Sequence, residues 1–139
     1  MRQFDLKRIE NAFDWLQKEF EDTDVLQSID VLIQQQAALN SVIAWAYEQQ
    51  AIAGKLLNEA KQKAYIDLNA KAVTQKQLFA PSLAKDFISA SCHEENYKYD
   101  LVERLCRATI HVSDNLRTSI SALKEQAKME SYNQSVPNF

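Results

Sequence analysis

The sequence has very little of the chemistry that turns and β-strands require. Among 139 residues there are one glycine and two prolines, so the tight turns that join strands have almost no suitable residues. Hydrophobic residues make up 46% of the chain and charged residues 25%, which is typical of a globular protein. The composition therefore predicts one all-α domain, since the chain is too short for two ordinary domains.

Other absences narrow the possible functions. The longest apolar run, Val42 to Tyr47, has six residues and is too short to cross a bilayer. No apolar stretch near the N-terminus resembles a signal peptide, so we expect a cytoplasmic protein with no membrane contact. A single glycine cannot form a phosphate-cradling loop. The net charge of −3 and the pI near 5.4 do not by themselves indicate nucleic-acid binding.

The stretch from Ser91 to Glu130 predicts one uninterrupted helix, because it contains neither glycine nor proline. Ser91 and Glu94 have the spacing of a capping box at its start. At 1.5 Å per residue the helix would be roughly 60 Å long, which predicts an elongated protein. One apolar stripe recurs every three or four positions along it and comprises Leu101, Leu105, Ala108, Val112, Leu116, Ile120, Leu123 and Ala127.

A second long helix is predicted from Val25 to about Val73, with Thr23 or Asp24 as its N-cap. It carries two apolar stripes, which predict two packing partners. The first stripe comprises Leu26, Ile29, Ile33, Ala37, Ile43, Tyr47, Ala51, Leu57, Ala64 and Leu68. The second comprises Leu32, Leu39, Val42, Ala46, Ala53 and Leu56. Gly54 lies within this helix and marks a kink, a close helix crossing, or a position without a special role.

Two short helices complete the predicted fold. The first is an amphipathic helix near the N-terminus, which carries on one face Leu6, Ile9, Phe13, Leu16 and Phe20. The second is a corner helix from Leu83 to Ala90, which follows the helix-breaking Pro81 and has Ser82 as its cap. Its buried residues are expected to be Leu83, Phe87 and Ile88. We expect an elongated antiparallel helical hairpin or bundle over residues 1–130 and a disordered tail over 131–139. The long helices leave apolar surface, which predicts a homodimer that uses the second stripe near Trp45.

The candidate binding residues form a polar strip on the Ser91 to Glu130 helix, at spacings of three or four: Arg104, Arg107, His111, Asp114 and Arg117, followed by Thr118. One interpretation is a solvated face stabilised by ion pairs, such as Asp114 with Arg117. The other is a phosphate-binding strip, because residues 104–124 hold four basic side chains against one acidic side chain.

We expect no metal site, no cofactor and no catalytic residue. Cys92, His93, Cys106 and His111 are suitable ligand types, but Cys106 and His111 lie about 140° apart around a helix. The two cysteines would be roughly 21 Å apart on one helix, too far to form a disulfide bond. No base is spaced to activate Cys106 as a nucleophile.

Arg104, six intervening residues and His111 resemble the arginine and histidine motif of HEPN-type ribonucleases, which are small all-α proteins that dimerise to pair two such motifs. The resemblance implies that the arginine stabilises phosphate charge and that the histidine activates or orients the ribose hydroxyl. Arg104 is followed by Leu105, where that family usually has a polar residue.

Residues 97–125 are similar to the C-terminal helix of small phage and prophage proteins. The matching residues are Arg107, Thr109, His111, Asp114, Leu116, Arg117, Thr118, Ile120, Ser121, Lys124 and Glu125. This resemblance implies a phage or mobile-element origin, near replication or recombination functions. It implies no biochemical activity.

Together these observations predict a non-enzymatic helical protein that binds a macromolecule, most readily a protein partner. Two alternatives stay open. They are a HEPN-like ribonuclease and a nucleic-acid-binding protein of a replication or recombination module.

Overall fold

The computed structural model describes residues 3–20, 28–75 and 80–135. These residues form four helices and no strand: α1 (Leu6–Phe20), α2 (Ile29–Gln75), α3 (Pro81–Ser91) and α4 (His93–Ser135). The predicted all-α architecture of two long helices, a short N-terminal helix and a short connecting helix is therefore confirmed.

The two long helices pack against each other in antiparallel orientation. Near the start of α2, the Gln36 side chain donates a hydrogen bond from Nε2 to Ser113 Oγ at 2.9 Å, well along α4. Farther along α2, Gly54 lies beside the ring of Tyr99, near the start of α4. With 47 and 43 residues, the helices are about 70 and 65 Å long. The protein is an elongated helical hairpin, with α1 and α3 packed on it.

The buried face of α2 differs from the first predicted stripe. Ile33 and Tyr47 of that stripe are 46% and 47% exposed. Up to Ala53 the buried positions follow steps of three, four and seven residues, as in a coiled-coil seam, and they are Leu32, Gln35, Leu39, Ala46, Gln49 and Ala53. The second stripe therefore forms the core in this half, and the expectation that it would be free for a dimer partner is wrong.

Two glutamines explain this error. Gln35 and Gln49 occupy buried seam positions. A count of apolar residues omits them, so it gives the second stripe too few members and favours the first stripe. After Gly54 the first stripe becomes the buried one, because Leu57, Ala64 and Leu68 are buried whereas Leu56 is 41% exposed. The buried positions shift from one predicted stripe to the other along a single continuous helix.

The seam of α4 also contains polar residues. Its buried positions are Val102, Leu105, Cys106, Thr109, Ser113 and Leu116. The Thr109 hydroxyl donates to the Cys106 carbonyl oxygen at 2.8 Å, and Ser113 accepts the bond from Gln36, so both hydroxyls are satisfied inside the seam. Of the predicted apolar stripe, Leu105 and Leu116 are buried, and most of the others lie half-buried at its edge.

The boundaries of α4 correct two expectations. Ser91 ends α3, and its Oγ donates to the Phe87 carbonyl oxygen at 2.8 Å; the predicted capping box with Glu94 is therefore wrong. At the other end α4 continues to Ser135 instead of ending at Glu130. Residues 131–135 contain no helix breaker, and Pro137 is the first residue that would stop the helix. Residues 136–139 of the expected tail lie outside the described residues.

Short side chains cap α1 and α2. Asp5 Oδ1 accepts the Arg8 backbone N–H at 3.0 Å, and Ser28 Oγ accepts the Val31 backbone N–H at 3.3 Å; both are N-cap bonds. The caps predicted for α2, Thr23 and Asp24, lie outside the described residues, as do residues 25–27 of the predicted helix.

Helix α3 starts two residues earlier than expected. Pro81 is its first residue, a position that needs no backbone N–H, and Ser82 therefore lies inside the helix. Ile88 is buried as predicted, in a second cluster with Leu57 and Cys92. Leu83 was expected to be buried and is 59% exposed. The aromatic ring of Phe87 lies under Lys71 Nζ, 4.8 Å from the ring centroid, so α3 folds back on the end of α2.

Helix α1 is held against the hairpin by apolar packing and by two glutamine side chains of α2. Ile9 and Leu16 belong to the main core cluster. Gln49 accepts the Asp5 backbone N–H at 2.8 Å and donates to the Gln3 carbonyl oxygen at 3.0 Å. Gln35 donates to Glu19 at 3.2 Å. Helix α1 thus runs antiparallel to α2, which it meets at Gln35 and Gln49, and its backbone lies closer to α4 than to α2.

The core assignment predicts the effect of truncation. Leu105 is fully buried, so Leu105→Ala should lower the free energy of unfolding by about 2–4 kcal/mol through lost contacts and a residual cavity. The matched control is Ile33→Ala, which should cost less than about 1 kcal/mol because Ile33 is largely exposed. Urea denaturation followed by circular dichroism measures both. Equal losses in the two variants would contradict the assigned core.

Gly54 gives a second prediction, because α2 continues through it without a break. A Cβ atom added there would lie 3.5 Å from Tyr99 Cε2, an ordinary van der Waals contact. Gly54→Ala should therefore raise the free energy of unfolding by roughly 0.5–1 kcal/mol, the difference in helix propensity. A lower midpoint of urea denaturation would show that the close approach of Tyr99 requires glycine.

Candidate functional site

The predicted polar strip lies on the solvent-facing side of α4. All five of its residues are exposed: Arg104, Arg107, His111, Asp114 and Arg117. The seam residues lie on the opposite side of the helix, which faces the core. Arg104 and His111 are seven residues apart on this face, about 10 Å along the helix axis.

Most charges of the strip are paired within α4. Arg107 forms an ion pair with Glu103 one turn earlier, and Arg117 lies 3.9 Å from the Asp114 carboxylate, as the sequence predicted. Asn115 Nδ2 lies 3.5 Å from His111 Nε2, and Thr118 donates to the Asp114 carbonyl oxygen at 3.0 Å. These contacts favour the solvated, ion-paired interpretation and reduce the charge available to phosphate. The assignment of these residues as a binding site stays a prediction.

The two thiols are unsuited to nucleophilic chemistry. Cys92 and Cys106 are free and buried. Burial raises the pKa of the Cys92 thiol, and Glu95 raises it further, against a smaller opposing effect of Lys61. Burial and the Glu103 carboxylate raise the pKa of Cys106. Both thiols are therefore protonated at neutral pH, and the reactive thiolate is disfavoured.

No group of three or more metal-ligating side chains comes together within residues 3–20, 28–75 and 80–135. Over the same ranges, no helix combines the length and the hydropathy needed to span a bilayer.

A groove between α1 and α2 is the site that the sequence analysis missed. It has a volume of about 240 Å³ and is lined by Arg8, Asn11, Ala12, Trp15, Ser41, Val42 and Trp45. These include both tryptophans of the chain, and each is only half-buried. The two indoles come from different helices, so only the packing of α1 on α2 brings them to one groove.

Stacking orders the side chains of this groove. The Arg8 guanidinium lies 4.5 Å from the centroid of the Trp45 ring, within the range of a cation–π interaction. On the other side, Phe20 meets Trp15 edge to face with ring centroids 5.5 Å apart. Each tryptophan is thus held by one neighbour while part of its ring remains accessible. Tryptophan and arginine are the side chains that contribute most often to protein–protein binding energy.

A larger hollow of about 580 Å³ lies between the start of α2 and the end of α4. It is lined by Ile29, Lys124, Ala127, Lys128, Ser131 and Tyr132. Residues 21–27, which precede α2, lie outside the described residues, and we assign no site to this hollow.

The state of the thiols predicts their reactivity. In the native protein, Cys92 and Cys106 should react with a thiol-specific disulfide reagent at least ~100-fold more slowly than free cysteine, because both are buried and protonated. In guanidinium chloride both should react at the rate of an unfolded chain. Absorbance of the released thiolate measures the two rates. Rapid reaction of either thiol in the native protein would contradict its burial.

Comparisons with known proteins add no relative. The chain matches no family model, no curated protein and no solved structure.

Proposed function

We propose that the protein is a non-enzymatic helical protein that works as a homodimer and binds a protein partner through the groove between α1 and α2. The observation that supports this most strongly is the convergence of Trp15, Trp45 and Arg8 on one groove. An exposed tryptophan face exchanges water for apolar contact when a partner side chain covers it, which stabilises a complex. From the resemblance of α4, we also propose a phage or mobile-element origin.

The charges of the groove and of the polar strip on α4 favour a protein partner over a nucleic acid. Binding to phosphates draws its affinity from several unpaired basic groups. On α4, however, Arg107 and Arg117 are each paired with an acidic neighbour. The groove itself offers one cation, Arg8, against the exposed surface of two indoles. This combination fits an apolar side chain with a nearby carboxylate better than it fits a phosphate backbone.

Tryptophan substitutions test the proposal directly. The purified protein, immobilised at one end, is incubated with a lysate of the organism that encodes it, and the retained proteins are identified and then titrated individually. Trp45→Ala should lower the affinity for the retained partner by roughly tenfold or more, since truncation of a central aromatic commonly costs over 2 kcal/mol. The matched control is Tyr65→Ala, which removes an exposed aromatic elsewhere on α2 and should bind like the parent protein.

The same experiment has a second readout in the intrinsic fluorescence. Both tryptophans line the groove, so an authentic partner should shift their emission to shorter wavelength as it excludes water. A partner whose affinity is unchanged by Trp45→Ala and by Trp15→Ala, with helicity intact in both variants, would overturn the groove as the binding site. Retention that disappears after nuclease treatment would instead favour the nucleic-acid alternative. RNA cleavage lost on His111→Ala would overturn the non-enzymatic assignment.

A further inference from the structure

Helix α1 covers only part of one face of α2. It contacts that face at Gln35 and Gln49, and Val42, midway between them, lines the groove beside α1; these three residues recur every seven positions. The next positions in this series are Leu56, Lys63 and Ala70, and all three are exposed. Helix α1 begins at Leu6, next to Gln49. Among the described residues, nothing continues its cover toward the end of α2.

A second row of residues, exposed from Glu59 onward, lies beside this series. Trp45 contacts α1, and the residues at seven-residue intervals after it are Ile52, Glu59, Ile66 and Val73. Ile52 is half-buried, Glu59 is exposed, and Ile66 and Val73 are 68% and 79% exposed. We call the combined set the α2 strip: Ile52, Leu56, Glu59, Lys63, Ile66, Ala70 and Val73.

The α2 strip has the spacing of a helix-packing seam. Its members alternate in steps of four and three over roughly 30 Å, the pattern by which one long helix packs along another. Helix α3 lies on a different face, where it contacts Leu57, Ala64 and Leu68. The strip is therefore a continuous, mainly apolar seam with no partner among the described residues.

The order of residue types in the strip is self-complementary. When two copies of α2 pack antiparallel about a twofold axis near residue 61, Ile52 faces Ala70 of the second copy and Leu56 faces Ile66 of the second copy. At the centre, Glu59 faces Lys63 of the second copy, and the twofold axis repeats each of these pairs. Four of the five apolar positions meet apolar positions, and each charge meets its opposite. Val73, at the end of the strip, lies beyond these pairs, opposite Gln49 of the second copy.

The two central charges support this register. Glu59 and Lys63 are exposed, and neither has an ion-pair partner among the residues that the structure describes. In a parallel arrangement the same residues would face their own copies, so that like charges would meet. Opposite charges at the centre of an antiparallel seam select both orientation and register.

We infer that the α2 strip is the homodimer interface and that the two copies of α2 pack antiparallel, centred on Glu59 and Lys63. The inference rests on the homodimer in the proposed function and specifies its surface.

Charge exchange tests the central pairs. Sedimentation equilibrium of the full chain should give twice the monomer mass of 16.0 kDa at micromolar concentration. Glu59→Lys and Lys63→Glu should each raise the dimer dissociation constant by about tenfold, because each places like charges opposite in two symmetric pairs. The double variant restores both pairs with reversed sign and should dimerise like the parent chain. Matched controls on α3, Lys85→Glu and Asp86→Lys, should have no effect.

Cysteine cross-linking tests the register. Positions 56 and 66 lie about 15 Å apart along one helix, too far to bridge within a chain or between two copies of the same position. Under oxidation, Leu56→Cys and Ile66→Cys should each remain uncross-linked alone, and an equimolar mixture should give a disulfide-linked heterodimer. The parent chain, whose two thiols are buried, is the control.

The possible outcomes separate this inference from the proposed function. A dimer that forms without the mixed disulfide, or that is not restored by the double charge exchange, would overturn the α2 strip and leave the homodimer standing. A mass of 16.0 kDa that does not rise with concentration would overturn both the strip and the homodimer. Partner binding at the tryptophan groove has its own readout in Trp45→Ala and is decided independently of either result.

Discussion

The antiparallel seam between α2 and α4 is the constraint on which the rest of the structure depends. It joins two helices of 47 and 43 residues, neither of which would persist in water without a covered apolar face. The apolar side chains of the seam supply most of the stabilisation, and its polar residues restrict the register in which the two helices pack. Gln36 reaches Ser113 across the seam, and a shift of one helix turn would leave a buried hydroxyl without its partner. Such an orphaned group costs about 1–3 kcal/mol, which is enough to favour one register.

The same use of glutamine places α1. The short helix buries Ile9 and Leu16 in the core. Apolar contacts alone would allow α1 to slide along the hairpin. Gln49 binds two backbone groups at the start of α1, and Gln35 binds Glu19 near its end. The position of α1 in turn decides two surfaces of α2. It creates the groove that contains both tryptophans, and it stops where the α2 strip begins. Along one face of α2, the contact with α1, the proposed partner site and the proposed dimer interface lie one after another.

The polar strip on α4 shows how similar patterns can have different consequences. Arginine, histidine and aspartate at helical spacing lie on one exposed face, as the sequence indicated, and the ion pair of Arg117 with Asp114 forms. Exposed pairs of this kind contribute little to stability, in the range of about 0–1 kcal/mol. They also neutralise arginines that would otherwise be available to phosphate. The charges of the α2 strip, Glu59 and Lys63, are the more informative ones, because neither forms an ion pair within the part of the chain that the structure describes.

The sequence by itself determined the helical class, the two long and two short helices, and the exposed face of α4, because these follow from backbone propensity and from local spacing along one helix. It did not determine which stripe of α2 is buried. Gln35 and Gln49 look like surface residues until the backbone of α1 and the Glu19 carboxylate are seen to satisfy them. Nor did it show that Trp15 and Trp45 meet, since they lie on different helices. Only the tertiary structure decided these points, because burial of a polar side chain and convergence of two helices depend on partners distant in the chain.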